Sequence, residues 1–327
     1  MYIMLNLICV CDSINNIIHR LRTKSKTTEI SMKNVSRANR MTKNAIRYIP
    51  IYIILLLYSA GCTGSRKDSD RTIFVSIAPL KCIVHEIVGE DFDIEILVPS
   101  GASPESFEPT PKQFIALNSA RLVFNVGLID FERNLMSKIS DPQKITDLSQ
   151  GIELIAGSCS HNHRGHGCRH GIDPHIWSSP QTLKIMARNA YEAIHKAYPD
   201  SVKYETAYIR LNERLEILDK RVSDMCANAR NKYFIIYHPA LTYFARDYGI
   251  EQIAIEHEGK EPSVKRLSDI IDKARRDNIG KVFYQTQFPR TVVETVASDI
   301  DAEPTEIDPL KEDVFENIES IARLITE

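Results

Sequence analysis

The chain has 327 residues, of which 43% are hydrophobic, enough to bury one large core or two medium ones. Its formal net charge of -2 conceals an asymmetry, because residues 1–49 carry nine basic and two acidic side chains, whereas the remainder carries 32 basic and 41 acidic ones. The remainder therefore has a net charge of -9, which argues against nucleic acid as a partner and is compatible with attracting cations.

Residues 41–61 have the organisation of an export signal. Lys43 and Arg47 precede a run of fourteen uncharged residues, Tyr48–Gly61. Such a run is short for a membrane span but suits the apolar region of a signal peptide. Residues 1–40 precede this complete signal and are interpreted as an over-extended start.

The signal ends at a candidate lipidation site. Ser59-Ala-Gly-Cys62 resembles a bacterial lipoprotein cleavage box, which implies cleavage before Cys62 and attachment of lipid to its sulfur. An uncleaved signal anchor is the alternative. Residues 62–71 are polar and are predicted to tether the folded part to the membrane.

Short β-rich runs alternate with helical patterns between residues 72 and 199, which predicts a first lobe with a parallel sheet and helices on its faces. The predicted strands are Ile73–Ile77, Ile94–Val98 and Leu122–Asn125, and the predicted helices are Leu80–Val88, one starting at Thr110, and one from Ser179 to about His195.

Five of the ten histidines lie between His161 and Trp177. Imidazole is the commonest protein ligand for transition metals, so this cluster favours metal binding over a loop that is merely rich in histidine. Segment 158–171 lacks an apolar period and is predicted to be an auxiliary loop that gathers metal weakly. Its histidines are His161, His163, His166 and His170.

His175 has a different setting from the histidines of the loop. Pro174 restricts the backbone of Asp173, and Ile176 and Trp177 are apolar enough to pack into a core. These neighbours predict that His175 is held still and acts as a fixed metal ligand. A buried, hydrogen-bonded core histidine is the alternative.

Two cysteines, Cys159 and Cys168, bracket most of the histidine-rich loop. In an oxidising compartment they are predicted to form a disulfide, with service as soft metal ligands as the alternative. Cys82 and Cys226 are also available as disulfide partners.

Residues 200–230 are predicted to form one long helix that joins two lobes. The stretch from Ser201 to Ala229 contains no glycine or proline, and its apolar residues recur at steps of three and four. A coiled-coil dimer arm is the alternative, but the stretch is short for one.

Strand and helix patterns alternate again from residue 231 to 327, which predicts a second α/β lobe. The predicted strands are Tyr233–Tyr237, Gln252–Ile255, Lys281–Tyr284 and Pro304–Ile307, and the predicted helices are Ala240–Tyr248, Ser263–Asp277 and Asp313–Thr326, with one more between the last two strands.

Ligands of open parallel sheets bind beyond the carboxyl ends of the strands. Glu105 follows the second predicted strand, His238 directly follows Tyr237, and Asp308 directly follows Ile307. Together with His175 they predict a crevice between the lobes with two imidazoles and two carboxylates. Such a set suits a first-row divalent metal.

From about Ile73 to Thr326 the chain resembles the zinc- and manganese-type solute-binding proteins of ABC transporters. The motifs that carry the resemblance are specific only in combination. They are Pro99–Pro109, Asp173–Trp177, Tyr237–Phe244, Gly259–Ser263, Gln287–Phe288 and Ile307–Leu310.

The resemblance implies two α/β lobes joined by one rigid helix and a protein that captures metal without a catalytic step. It implies delivery of the ion to an ABC permease and is consistent with a monomer. In family members with a histidine-rich loop, that loop precedes the second ligand, as here, and the cargo is usually Zn²⁺. Many members have histidine where this chain has Glu105, and the harder carboxylate leaves Mn²⁺ or Fe²⁺ as the alternative cargo.

Two other classes of function compete with transport. An exported metallohydrolase would use an open metal position to activate water, but the sequence has no His-Glu-x-x-His or nucleophile motif. A surface adhesin would contain metal as a structural component. Zn²⁺ capture is the function predicted from the sequence.

Overall fold

The computed structural model describes residues 71–156, 171–256, 262–288 and 290–327, all within the compact unit Lys67–Glu327. These residues form two parallel four-stranded sheets flanked by helices, which confirms the predicted α/β class with two lobes. The interpretations of residues 1–40, of the signal at 41–61, of Cys62, and of the loop with its four histidines, Cys159 and Cys168 concern residues outside the described part.

The first lobe contains a sheet of strand order β2-β1-β3-β4 with every neighbouring pair parallel. Its elements are β1 Thr72–Val75, α1 Ala78–Val88, β2 Asp93–Ile96, α2 Pro111–Ser119, β3 Leu122–Asn125, α3 Asp130–Met136, β4 Ile145–Asp147 and α4 Pro180–Ala197.

Side-chain caps fix the first residues of two helices that the sequence predicted. Thr110 begins α2 with a capping box, since its hydroxyl accepts from Gln113 N at 3.3 Å and Gln113 Oε1 accepts from Thr110 N at 2.9 Å. The hydroxyl of Ser179 caps α4 by accepting from Gln181 N at 3.2 Å, and Pro180 lies in the first turn.

Two short elements of the first lobe were not predicted. Strand β4 has three residues, too few for a period to show, and α3 has seven. The turn before α3 is held by the buried Glu132, whose carboxylate accepts from Val126 N at 2.9 Å and from Gly127 N at 2.8 Å. This contact depends on the folded backbone, so no sequence period reveals it.

The long helix α5, Val202–Ala227, has 26 residues and joins the lobes as predicted. It packs against α1 and α4 of the first lobe and against α9 at the end of the chain. Its buried side chains lie along one face, at steps of seven, four, three, four and four residues: Tyr204, Leu211, Leu215, Leu218, Val222 and Cys226.

The second lobe repeats the topology of the first, with strand order β6-β5-β7-β8 and parallel pairing throughout. Its elements are β5 Tyr233–Ile236, α6 Thr242–Tyr248, β6 Glu251–Ala254, α7 Val264–Asp277, β7 Lys281–Tyr284, α8 Arg290–Asp299, β8 Glu303–Glu306 and α9 Val314–Thr326.

The hydrophobic core is continuous between the lobes. Phe234 and Ile236, on one face of β5, belong to the same buried cluster as β1 and α5 of the first half, and α9 adds Ile318 to it. The other face of β5 contributes Ile235 to a smaller cluster with α7 and α8. Shared packing of this kind resists large relative motion of the lobes. Among the described residues, no helix combines the length and apolarity that crossing a membrane requires.

Candidate metal site

The carboxyl ends of the two sheets meet at a small cavity of about 40 Å³. Glu105 and His175 line it from the first lobe, and His238 and Gln285 line it from the second. A site between lobes at the ends of parallel strands is the location that the sequence predicted.

Three predicted ligands come together in this cavity. Their ligand atoms, from Glu105, His175 and His238, all lie within 4.8 Å of one another. His238 Nε2 lies 3.2 Å from Glu105 Oε1 and 3.4 Å from His175 Nε2. Zinc ligands at about 2.0–2.1 Å in a tetrahedron are separated by roughly 3.3 Å, so these two spacings fit one ion.

His175 is oriented by residues close to it in sequence. Asp173 Oδ1 accepts from His175 N at 2.9 Å and lies 2.8 Å from its Nδ1. An imidazole that donates from Nδ1 to a carboxylate presents the Nε2 lone pair, which here faces the cavity. The next residues form a 3-10 turn, in which Trp177 donates to Pro309 O of the second lobe at 3.0 Å.

His238 is oriented by residues distant in sequence. Its Nδ1 lies 3.0 Å from Glu256 Oε2, and the ring of Phe288 stacks on its imidazole with centroids 4.6 Å apart. Gln285 Nε2 donates to the backbone carbonyl of His238 at 2.9 Å. Both imidazoles are buried, so each is fixed with Nε2 toward the same point.

The two carboxylates beside His238 determine its charge. Burial acts to lower the pKa of the imidazole, but Glu105 and Glu256 outweigh burial and raise the pKa to about 9. For Glu105, burial acts to raise the pKa, but the hydrogen bond and charge of His238 outweigh it and hold the pKa below its ordinary value. The metal-free site at neutral pH thus contains an imidazolium between two carboxylates, and an incoming ion must displace its Nε2 proton.

Asp308, the predicted fourth ligand, is not brought into this group. Its Oδ1 accepts from Leu310 N at 2.9 Å, and it lines a separate groove of about 290 Å³ beside Ile77 and Ser100. The reason is local, because an Asp two residues before a free N–H readily bonds to it in a turn. The structure therefore brings three of the four predicted ligands together, and the role of Asp308 as a ligand stays a prediction.

Glu256 and Gln285 were missed by the sequence reasoning. Gln285 directly follows β7, and Glu256 follows Ile255, the residue with which the predicted strand ended. The strand-end rule that found His238 and Asp308 therefore applied equally to both. The positions of both residues at the edge of the second sheet were therefore predictable from the sequence.

The described residues on either side of the histidine-rich segment lie close to His175. Ala156 and Ile172 form an antiparallel bridge, and Asp173 N donates to Ile155 O at 2.9 Å. Within the described ranges Cys82 and Cys226 are free thiols, and burial raises the pKa of each to about 11.

Over residues 73–326 the chain matches the family model described as "Zinc-uptake complex component A periplasmic". It resembles a solved structure described as "Crystal structure of ZnuA", with a TM-score of 0.71, 32% identity, and coverage of 78% of this chain and 97% of that one.

Two curated relatives are similar to the chain. The "Putative metal-binding protein" of Chlamydia muridarum is 30% identical over 276 residues, which cover 83% of this chain and 97% of that protein. The "Zinc-binding lipoprotein AdcA" of Streptococcus pneumoniae serotype 4 is 24% identical over 269 residues, which cover 78% of this chain and 53% of AdcA.

Proposed function

Because the chain belongs to the periplasmic zinc-uptake component A family, the solute-binding proteins of metal ABC transporters, we propose that it captures Zn²⁺ and delivers it to an ABC permease. Proteins of this family bind a solute and are not enzymes, which excludes the metallohydrolase alternative. The observation that carries the proposal is the cluster of Glu105, His175 and His238 with both imidazoles turned to one point.

Two features support Zn²⁺ over Mn²⁺ as the cargo. The clustered set contains two imidazoles, and divalent affinity for nitrogen-containing sites places zinc above manganese. The short spacings between ligand atoms suit a four-coordinate ion, whereas Mn²⁺ prefers more oxygen ligands. The carboxylate of Glu105 favours Mn²⁺, the harder ion, but the two imidazoles favour Zn²⁺.

Metal analysis of protein purified without added metal, followed by competition between Zn²⁺ and Mn²⁺ at equal free concentration, tests the cargo. We expect one tightly bound zinc per chain. A site that stays filled with manganese would overturn the zinc assignment. Reversible removal and reloading of the ion distinguishes a carrier from an adhesin with structural metal, which should misfold when stripped.

Delivery to a permease is tested in cells. Cells that lack the protein should take up zinc slowly from chelator-treated medium, and the wild-type chain should restore uptake. The double variant His175→Ala with His238→Ala should not restore it. Full restoration by the double variant would contradict the role of this site in transport.

We also propose that the chain is exported, cleaved before Cys62 and anchored through lipid on that cysteine. The motif Ser59-Ala-Gly-Cys62 and the preceding apolar run support this. Intact-mass measurement of membrane-extracted protein should show loss of all residues before Cys62 and the added mass of acyl chains. An unmodified, uncleaved terminus would exclude the anchor.

For the loop, we propose that His161, His163, His166 and His170 gather metal weakly, next to the tight site. Deletion of 158–171 should lower the number of weakly bound ions and leave one tight ion, and loss of the tight ion would refute the distinction between weak binding by the loop and tight binding by the site.

For the cysteines of the loop, we propose a disulfide between Cys159 and Cys168. Peptide mapping without reduction tests it, since two free thiols at these positions would exclude the bridge.

A further inference from the structure

Gln285 contains an oxygen that no described protein donor satisfies. The side chain is 2% exposed, and its Oε1 has no hydrogen-bond partner among the described residues. Its Nε2 donates to His238 O at 2.9 Å, and because a carbonyl only accepts, this bond fixes which end of the amide is nitrogen. The Oε1 must therefore face away from the His238 carbonyl.

This glutamine lines the same cavity as the three clustered ligands. The cavity of about 40 Å³ exceeds the roughly 10–15 Å³ that a water needs. A buried water is stable when it has two to four polar partners, and a bound ion together with the free Oε1 supplies two.

Three protein ligands leave one position open in a tetrahedral shell, and Asp308 does not fill it in this structure. We propose that Gln285 is a positioning residue, whose Oε1 accepts a hydrogen bond from a water bound at the fourth position of the metal ion. The proposal rests on the proposed function, since it requires an ion at this cluster. Water is a readily exchanged ligand, so this position is the one through which a new ligand can enter when the ion leaves.

The test uses the full-length chain loaded with one equivalent of Co²⁺, a spectroscopic substitute for zinc. Visible absorption reports the coordination of Co²⁺, and broadening of the water ¹⁷O resonance reports exchangeable water on the ion. For the wild type we expect one exchangeable water.

Two variants of Gln285 separate the contribution of its Oε1 to metal binding from that of its Nε2. Gln285→Leu and Gln285→Glu both lose the N–H bond to His238 O, but only Glu retains an oxygen. We expect Leu to shift the absorption spectrum, speed water exchange and weaken Co²⁺ binding about tenfold, as loss of outer-shell contacts does. Glu should retain wild-type coordination, and the matched control Gln143→Leu, an exposed glutamine away from the cavity, should change nothing.

Three outcomes would overturn the proposal. A wild type without exchangeable water, equal behaviour of the Leu and Glu variants, or a spectrum unaffected by Gln285→Leu each exclude the role of Oε1. If Asp308→Asn creates an exchangeable water that the wild type lacks, Asp308 is the fourth ligand instead. Failure of the proposed function is a separate result, in which tight one-to-one binding is absent from the wild type or survives His175→Ala with His238→Ala.

Discussion

The two lobes share one topology but present their metal-facing groups in different ways. In the second lobe, His238 and Gln285 lie immediately beyond the ends of β5 and β7. In the first lobe, Glu105 and His175 lie on long connections well beyond β2 and β4. The Glu105 side chain is accordingly 38% exposed and that of His238 5%. One half of the site is built into the sheet, and the other half is held on loops.

The carboxylates that orient the imidazoles show the same difference. Asp173 precedes His175 by two residues and belongs to the same turn, whereas Glu256 reaches His238 from beyond the neighbouring strand β6. His175 is thus oriented by a carboxylate two residues away in the sequence, and His238 by a carboxylate that the pairing of β5 with β6 brings to it. The comparison predicts that the two halves respond differently to substitution.

Removal of either imidazole should have the largest effect on metal binding. His175→Ala and His238→Ala each delete one of three clustered ligands, so we expect zinc affinity to fall by more than the roughly 100-fold that outer-shell changes reach. Competition titration with a chelator of known affinity measures the change. His195→Ala, which removes an exposed imidazole of α4, is the control. Tight binding that survives either change would remove that histidine from the site.

Substitution of Glu256 should have the next largest effect. Glu256→Met removes the acceptor of His238 Nδ1, and we expect zinc affinity to fall about 10–100-fold. Glu256→Gln retains an acceptor oxygen and should lose less. Glu251→Gln, an exposed change on strand β6, is the control and should leave affinity unchanged. Equal zinc affinities of the wild type and Glu256→Met would show that the contact between Glu256 and His238 Nδ1 does not contribute to metal binding.

The same difference explains how much of the site the sequence revealed. His175 was predicted from Asp-Pro-His-Ile-Trp, because its orientation depends on neighbours in the chain. The sheets and the long helix were predicted because buried strands and a glycine-free amphipathic stretch have clear periods. The partnership of Glu256 with His238 depends on strand pairing, which the sequence leaves open. Asp308 shows the opposite case, since its carboxylate accepts from Leu310 N in a local turn and lies outside the cluster of three, so its role as a ligand stays a prediction.

Zinc affinity should depend on pH through the second-lobe histidine. The pKa of His238 in the metal-free protein is about 9, so a proton competes with the ion below that pH. Affinity should therefore rise about tenfold per pH unit from 7 toward 9 and level off above it. Calorimetry in buffers of different ionisation enthalpy should show close to one proton released per ion at pH 7. Glu256→Gln should lower the pKa of His238 and move the plateau of zinc affinity to lower pH. A zinc affinity of the wild type that does not change with pH would show that His238 is not protonated in the metal-free site.

The smallest effect on metal affinity is expected where the second lobe supports the loop of the first. Tyr243 of α6 is fully buried, donates to Asp173 O at 2.8 Å and accepts from Ile155 N at 3.3 Å. Burial raises its pKa to about 12, so the hydroxyl remains a donor at all working pH values.

Tyr243→Phe leaves the Asp173 carbonyl and the Ile155 N–H without that partner, which should lower the free energy of unfolding by about 1–3 kcal/mol. Zinc affinity should fall by less than tenfold, because the bond from His175 to the Asp173 carboxylate is retained. Denaturant unfolding with and without zinc measures both quantities. Tyr248→Phe is the matched control, since it removes a hydroxyl on the same helix that bonds Asp219 of α5, and it should lower stability without changing affinity. If the two variants lower affinity equally, the hydroxyl of Tyr243 has no specific part in placing His175.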